Sequence, residues 1–171
     1  MKKLILPLLC ASLSYGAIDT INSFQASFIQ KVTDDKNTTI EYKGSVQAKK
    51  PQEALWNYIE PIKKDVYITP FNIIVVEPEI EQVIVRRIHS NFNFFRMIKN
   101  AQLIKENTYK AYYKKAEFII TTKENLIESI SYKDEFENNV VISFENQKQN
   151  IAIDETVFIA KYPEDFDLIE D

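Results

Sequence analysis

Lys50-Pro51-Gln52-Glu53-Ala54-Leu55-Trp56-Asn57-Tyr58, with Pro61 just beyond, holds the only tryptophan of the 171-residue chain and places it in a strand that begins behind a proline. Proline has no amide donor, so it suits the start of a strand better than its interior. From Ala54 onward apolar side chains recur at every second position, with Trp56 and Tyr58 on one face, which predicts a half-buried strand over residues 54–59.

The same period of two runs outward on both sides. A short helix from about Asp19 sets Ile18, Ile21 and Phe24 roughly on one face; then Phe24, Ala26, Phe28, Gln30 and Val32 alternate up to a polar turn at residues 34–37. Strands are expected at 39–49, 65–69, 72–77 and 82–88, and in the second half at 111–113, 117–122, 127–132, 140–145, 151–153 and 156–161. Polar turns such as Lys123-Glu124-Asn125 and Glu137-Asn138-Asn139 separate them, so the reading is an antiparallel meander. Residues 90–104 break the pattern: Phe92, Phe95, Ile98, Gln102 and Leu103 fall at helical spacing, Phe94 and Met97 widen the stripe, and Ser90 is a candidate cap. Such a helix must lie on the concave face of the sheet or leave a large apolar patch wet. A long alternating sheet covered by helices instead of a second sheet curls into an incomplete barrel, mainly β with α, that has an inside.

The N-terminus has the form of an export signal: Lys2-Lys3, an apolar run from Leu4 to Leu13, and small residues suiting cleavage after Gly16. The expected division is a cleaved signal, 1–16, and one domain, 17–171. Cys10 is preceded by Pro7-Leu8-Leu9 and not by the small residue that lipid attachment requires, so it is expected to leave with the signal. The remaining chain then has no thiol and relies on its core for stability. It carries 19 basic against 25 acidic side chains, a formal charge of −6, which argues against a nucleic-acid partner and against general adhesion to anionic lipid. Arg86, Arg87, His89, Arg96 and Lys99 nevertheless gather in one stretch, as either a solvated helix entry or a docking patch for an acidic partner.

Catalytic signatures fail to assemble. There is one histidine, and Gly44 is the only glycine outside the signal, so neither a phosphate-cradling loop nor a nucleophile elbow can be built, and no Cys/His metal cluster is available. His89 beside two arginines reads as a surface residue, and Asp165, Asp167, Glu170 and Asp171 as an exposed acidic end. The reading is of a non-enzyme without cofactor or metal.

The opening stretch resembles the R-P-x-x-[FA]-x-W…P signature of the outer-membrane lipoprotein carrier (LolA) family, with Pro51, Ala54, Trp56 and Pro61 in register and Lys50 at the usual arginine. Phe24-x-Ala26-x-Phe28-x-Gln30 is similar to the family's first strand, residues 73–76 with Glu77-Pro78 and Glu81-Gln82 to the step that follows, and Phe158…Pro163…Phe166-Asp167-Leu168-Ile169 more loosely to its ending. The resemblance implies an unclosed barrel of about eleven strands capped by helices around a hydrophobic cavity. It implies a soluble monomeric carrier, in the periplasm of a Gram-negative bacterium, that takes the acyl chains of lipoproteins released from the inner membrane and delivers them to the outer membrane. The implied partners are acylated lipoproteins, an inner-membrane ATP-binding-cassette releasing complex and a possible outer-membrane acceptor.

Large apolar side chains on the expected concave face or cover are the candidates to meet acyl chains: Phe28, Trp56, Tyr58, Ile74, Val76, Phe92, Phe95, Met97 and Ile98. The resemblance makes Lys50 the latch that donates to carbonyls of a helical lid, with Lys49 as a substitute, although an ammonium lacks the planar fork of arginine. Arg86, Arg87 and Arg96 are the candidate docking residues. At about 0.8 kcal/mol per buried CH₂, one sixteen-carbon chain buried whole is worth roughly 12 kcal/mol and three would exceed the practical ceiling of noncovalent affinity, so the cavity is expected to engage only part of the lipid. Two other readings use the same half-barrel: an outer-membrane acceptor, disfavoured by the failed lipid-attachment site, and a module that senses lipoproteins or binds a small apolar ligand. An enzyme of dispersed carboxylates is the weakest.

Overall fold

The alternation seen in sequence becomes one continuous sheet in the computed structural model, which describes residues 18–88 and 93–170. A 3-10 turn at Ile18–Thr20 leads into β1 (Ser23–Thr33), β2 (Thr39–Lys49), β3 (Glu53–Glu60), β4 (Lys64–Ile68), β5 (Asn72–Glu77) and β6 (Gln82–Arg87). Helix α1 (Phe94–Lys99) follows, then β7 (Gln102–Lys105), β8 (Thr108–Tyr113), β9 (Ala116–Lys123), β10 (Leu126–Lys133), β11 (Asn139–Gln149) and finally β12 (Asp167–Glu170). The order across the sheet is β12-β6-β5-β4-β3-β2-β1-β11-β10-β9-β8-β7. Two antiparallel meanders are therefore joined along one seam, β1 against β11, while β12 adds to β6 in parallel and the outermost strands β12 and β7 leave the barrel open.

Register decides what faces inward, because successive side chains point to opposite faces. Ala26, Val46, Trp56, Val66, Val75 and Ile84 lie opposite one another along successive strands, and Phe24, Ala48, Ala54, Ile68 and Ile73 form the next row. On the other side of the seam Ile142, Ile130 and Ile120 are aligned in the same way. The main core sits on this concave face, where Phe24, Phe28, Val46, Ile120, Ile127 and Ile130 pack with Ile18, Ile21 and the Phe95, Met97 and Ile98 side chains of α1. A second cluster, Tyr67, Val76 and Val83 with Leu55, Ile74 and Val85, occupies the opposite face, where Ala160 and Phe166 of the C-terminal segment cover it.

The helical content is smaller than expected. The helix predicted over 90–104 is only the six residues of α1, and residues 102–105 pair with β8 as a strand. Its cap is Asn93, whose side chain accepts from the Arg96 amide at 2.9 Å, whereas Ser90 lies outside the described residues. The cover over the sheet is thus α1 and the Ile18–Thr20 turn, not a set of full helices. Residues 151–153 and 156–161 form no strand: the Asp154 carboxylate accepts from the Thr156 amide at 2.9 Å and starts a 3-10 turn at Glu155–Phe158, a local bond that competes with ladder pairing. The acidic end is in part a strand, Asp167–Glu170. Residues 1–16 lie outside the description.

A candidate apolar cavity beneath the helix

Between α1 and the concave face lies a hollow of about 260 Å³. Its walls come from both meanders: Phe24, Val46, Ala48, Ala54, Trp56 and Ile68 from one, Phe118, Ile130, Tyr132, Ile142 and Phe144 from the other, with Phe94, Phe95 and Met97 as the roof. Among the described residues, Gln52, Glu53 and Tyr132 are the polar contributors to this lining. Burial pushes the Tyr132 phenol above its ordinary pKa, helped by Asp134, as expected beside a dry space. The aromatic walls brace one another, with the Phe24 and Phe144 ring centres edge to face at 5.1 Å and Trp56 tilted at 6.3 Å from Phe144.

Of the residues expected to face this space, Trp56, Phe95 and Met97 line it. Phe28, Tyr58 and Ile98 stand behind the wall: Phe28 is packed 5.0 Å from both Trp56 and Tyr58, the Tyr58 hydroxyl donates to Gln30 Oε1 at 2.8 Å, and Ile98 is almost fully buried in the core. Ile74 and Val76 are corrected outright. They pack in the cluster on the convex side, and their neighbours Ile73 and Val75 take the concave rows. Phe92 lies outside the described residues. Sequence reasoning passed over the wall supplied by Phe118, Tyr132 and Phe144, whose alternation within the expected strands was the available signal.

Lys50 does not reach the helix. Its ammonium donates to Asn22 Oδ1 at 2.9 Å, and Lys49 pairs with Glu155 at 2.7 Å. The physical reason lies in which end of α1 is close by: the N-cap, Asn93, donates from Nδ2 to the Pro51 carbonyl at 2.6 Å, and a helix N-terminus offers amide donors, not carbonyl acceptors. The tie between helix and strand loop therefore runs from Asn93 to the backbone carbonyl of Pro51, next to Lys50. Arg86 and Arg87 are exposed at the end of β6, and Arg96 is exposed on α1. Among the described residues, no group of three or more His, Cys, Asp or Glu side chains could hold a metal, and no helix is long and apolar enough to cross a membrane.

A family profile described as Outer membrane lipoprotein carrier protein LolA matches residues 19–95. An outer-membrane lipoprotein carrier protein of Campylobacter jejuni is 38% identical over 148 residues, 86% of each chain. One of Wolinella succinogenes is 27% identical over 159 residues, 92% of each. Among solved structures, an uncharacterized conserved protein from Thermus thermophilus superposes with a TM-score of 0.56 at 12% identity, over 90% of this chain and 93% of that one. A LolA superfamily protein from Nitrosomonas europaea gives 0.50 at 10% identity, over 85% and 94%. These structures bear on the fold alone.

Proposed function

Because the chain belongs to the outer-membrane lipoprotein carrier protein (LolA) family, we propose that it shelters the acyl chains of lipoproteins in the hollow beneath α1 and carries them through the periplasm. The observation that supports this most directly is the cavity itself: apolar, roofed by a six-residue helix and walled by both halves of the sheet. Carrying requires no bond-making, so the protein acts as a chaperone and not as an enzyme. Desolvation of methylenes, worth about 0.8 kcal/mol each, supplies the affinity.

At about 260 Å³ the hollow falls below the usual ~300–1,000 Å³ of small-molecule sites. Entry of an acyl chain therefore requires α1 to shift, and the tie from Asn93 to Pro51 is what must yield. Once the helix moves, the row continues across β4 to β6 through Val66, Val75 and Ile84, all partly exposed. Delivery needs no nucleotide at the carrier. Loading out of a bilayer needs work from outside it, for which an inner-membrane ATP-binding-cassette complex is the proposed source, and a separate outer-membrane acceptor is the proposed recipient. Export with a cleaved signal at 1–16 and a single domain from residue 17 complete the reading.

The purified protein without residues 1–16, incubated with spheroplasts holding a newly made lipoprotein, is expected to release that lipoprotein as a soluble one-to-one complex. Retention of the lipoprotein in the membrane at every carrier concentration would overturn the reading.

A further inference from the structure

Two phenylalanines, Phe71 and Phe136, are each 77% exposed, and both stand at hairpin tips, between β4 and β5 and between β10 and β11. An isolated exposed apolar side chain is ordinary. Both turns are held by side-chain hydrogen bonds, Thr69 Oγ1 accepting from Asn72 N at 3.0 Å and Asp134 Oδ1 accepting from Phe136 N at 2.9 Å. Two further features set the Phe71 turn apart. The register sets Arg87 opposite Asn72 and Arg86 opposite Ile73, so two guanidinium-bearing residues flank the tip. The turn also starts one residue beyond Ile68, part of the cavity wall.

Charge separates the two tips. Phe136 sits in a loop with Asp134, Glu135 and Glu137, which opposes contact with any anionic surface. Around Phe71 the turn itself, residues 69–72, has no acid; on the neighbouring strands the register brings Glu53 beside the start of the turn, next to the Ala54–Ile68 pair, and sets Glu170 opposite Val85. An exposed aromatic ring with two arginines on the adjoining strand fits the boundary of an anionic phospholipid leaflet, where the ring reaches the acyl region and the cations meet phosphates. The chain's overall negative charge keeps the rest of the surface off such a leaflet, so contact is confined to this end.

We propose that the Phe71 hairpin, with Arg86 and Arg87, is a bilayer contact that sets the Ile68 side of the cavity against an anionic phospholipid surface during transfer. Its purpose rests on the carrier reading; its chemistry does not.

The test is flotation of the signal-free chain with vesicles of phosphatidylethanolamine and phosphatidylglycerol, against vesicles of phosphatidylcholine, at low and at about 0.15 M salt. The wild type is expected to partition onto the anionic vesicles alone and less at the higher salt. R86Q/R87Q is expected to lower partitioning by roughly fivefold per arginine. F71S is expected to lower it at least as much as one arginine, and F136S not at all. Failure of the wild type to float, or equal flotation of F71S and F136S, overturns the proposal and leaves an acidic protein as the partner of this end. Uptake of a fluorescent fatty-acyl probe in lipid-free buffer is measured beside it: uptake without flotation sinks only the bilayer contact, whereas no uptake by the wild type sinks the carrier reading.

Discussion

Gly44 owes its place to room and not to backbone freedom. It faces Phe28 across the β1–β2 ladder, and a Cβ there would collide with the Phe28 ring and with the Asn57 carbonyl. Gly44→Ala is expected to destabilise the fold by about 1–3 kcal/mol, read as a lowered urea midpoint with an unchanged slope. The same neighbourhood explains why Phe28, correctly assigned to the concave face, never reaches the hollow: its ring covers a glycine and is sealed by Trp56 and Tyr58. Trp56 was legible because its strand alternates. Ile73-Ile74-Val75-Val76 was not, since four apolar residues in a row carry no parity. Only pairing to the Trp56 row through Val66 shows that Ile73 and Val75 face inward.

At the scale of elements, α1 illustrates both success and failure of periodicity. The spacing of Phe95 and Ile98 correctly announced a helix, but it could not reveal that Asn100 ends the run and that Gln102–Lys105 is recruited by β8. Asn93→Ala removes a cap worth about 1 kcal/mol together with the tie to Pro51. The expected result is faster uptake of a hydrophobic fluorescent probe in stopped-flow mixing; unchanged uptake would remove the Asn93 tie as the gate. Strand β12 was hidden for another reason: four residues, Asp167–Glu170, are too few to show alternation, and the partner β6 is remote in sequence. It blunts an edge with acids. Truncation after Asp165 is expected to bare β6 and produce self-association on size exclusion, with the full chain expected to elute as a monomer.

Across the whole molecule, several surface carboxylates are tuned by local partners. Hydrogen bonds from the Thr156 amide and hydroxyl hold Asp154 below the usual carboxylate range, and Lys110 with Tyr112 does the same for Glu117. A depressed folded-state pKa gives stability that is present above the unfolded value and lost as pH falls through the folded one. Thermal stability is therefore expected to hold near neutrality and to drop on acidification below the ordinary carboxylate range, with Asp154→Asn flattening part of that drop. The sheet as a whole was readable from its period of two, but its strand order was not. Nothing in local alternation tells a strand near the start of the chain that its second neighbour comes more than a hundred positions later, as β1 finds β11.

That seam has a temporal consequence. Each meander zips from neighbours close in the chain, whereas joining them must await residues 139–149, so this long-range closure is the slow step in assembly. A polypeptide emerging N-terminus first has only half a trough until nearly all of it is out. Immature chains thus lack the far wall, and competence to pick up fatty cargo arrives only when synthesis is almost complete.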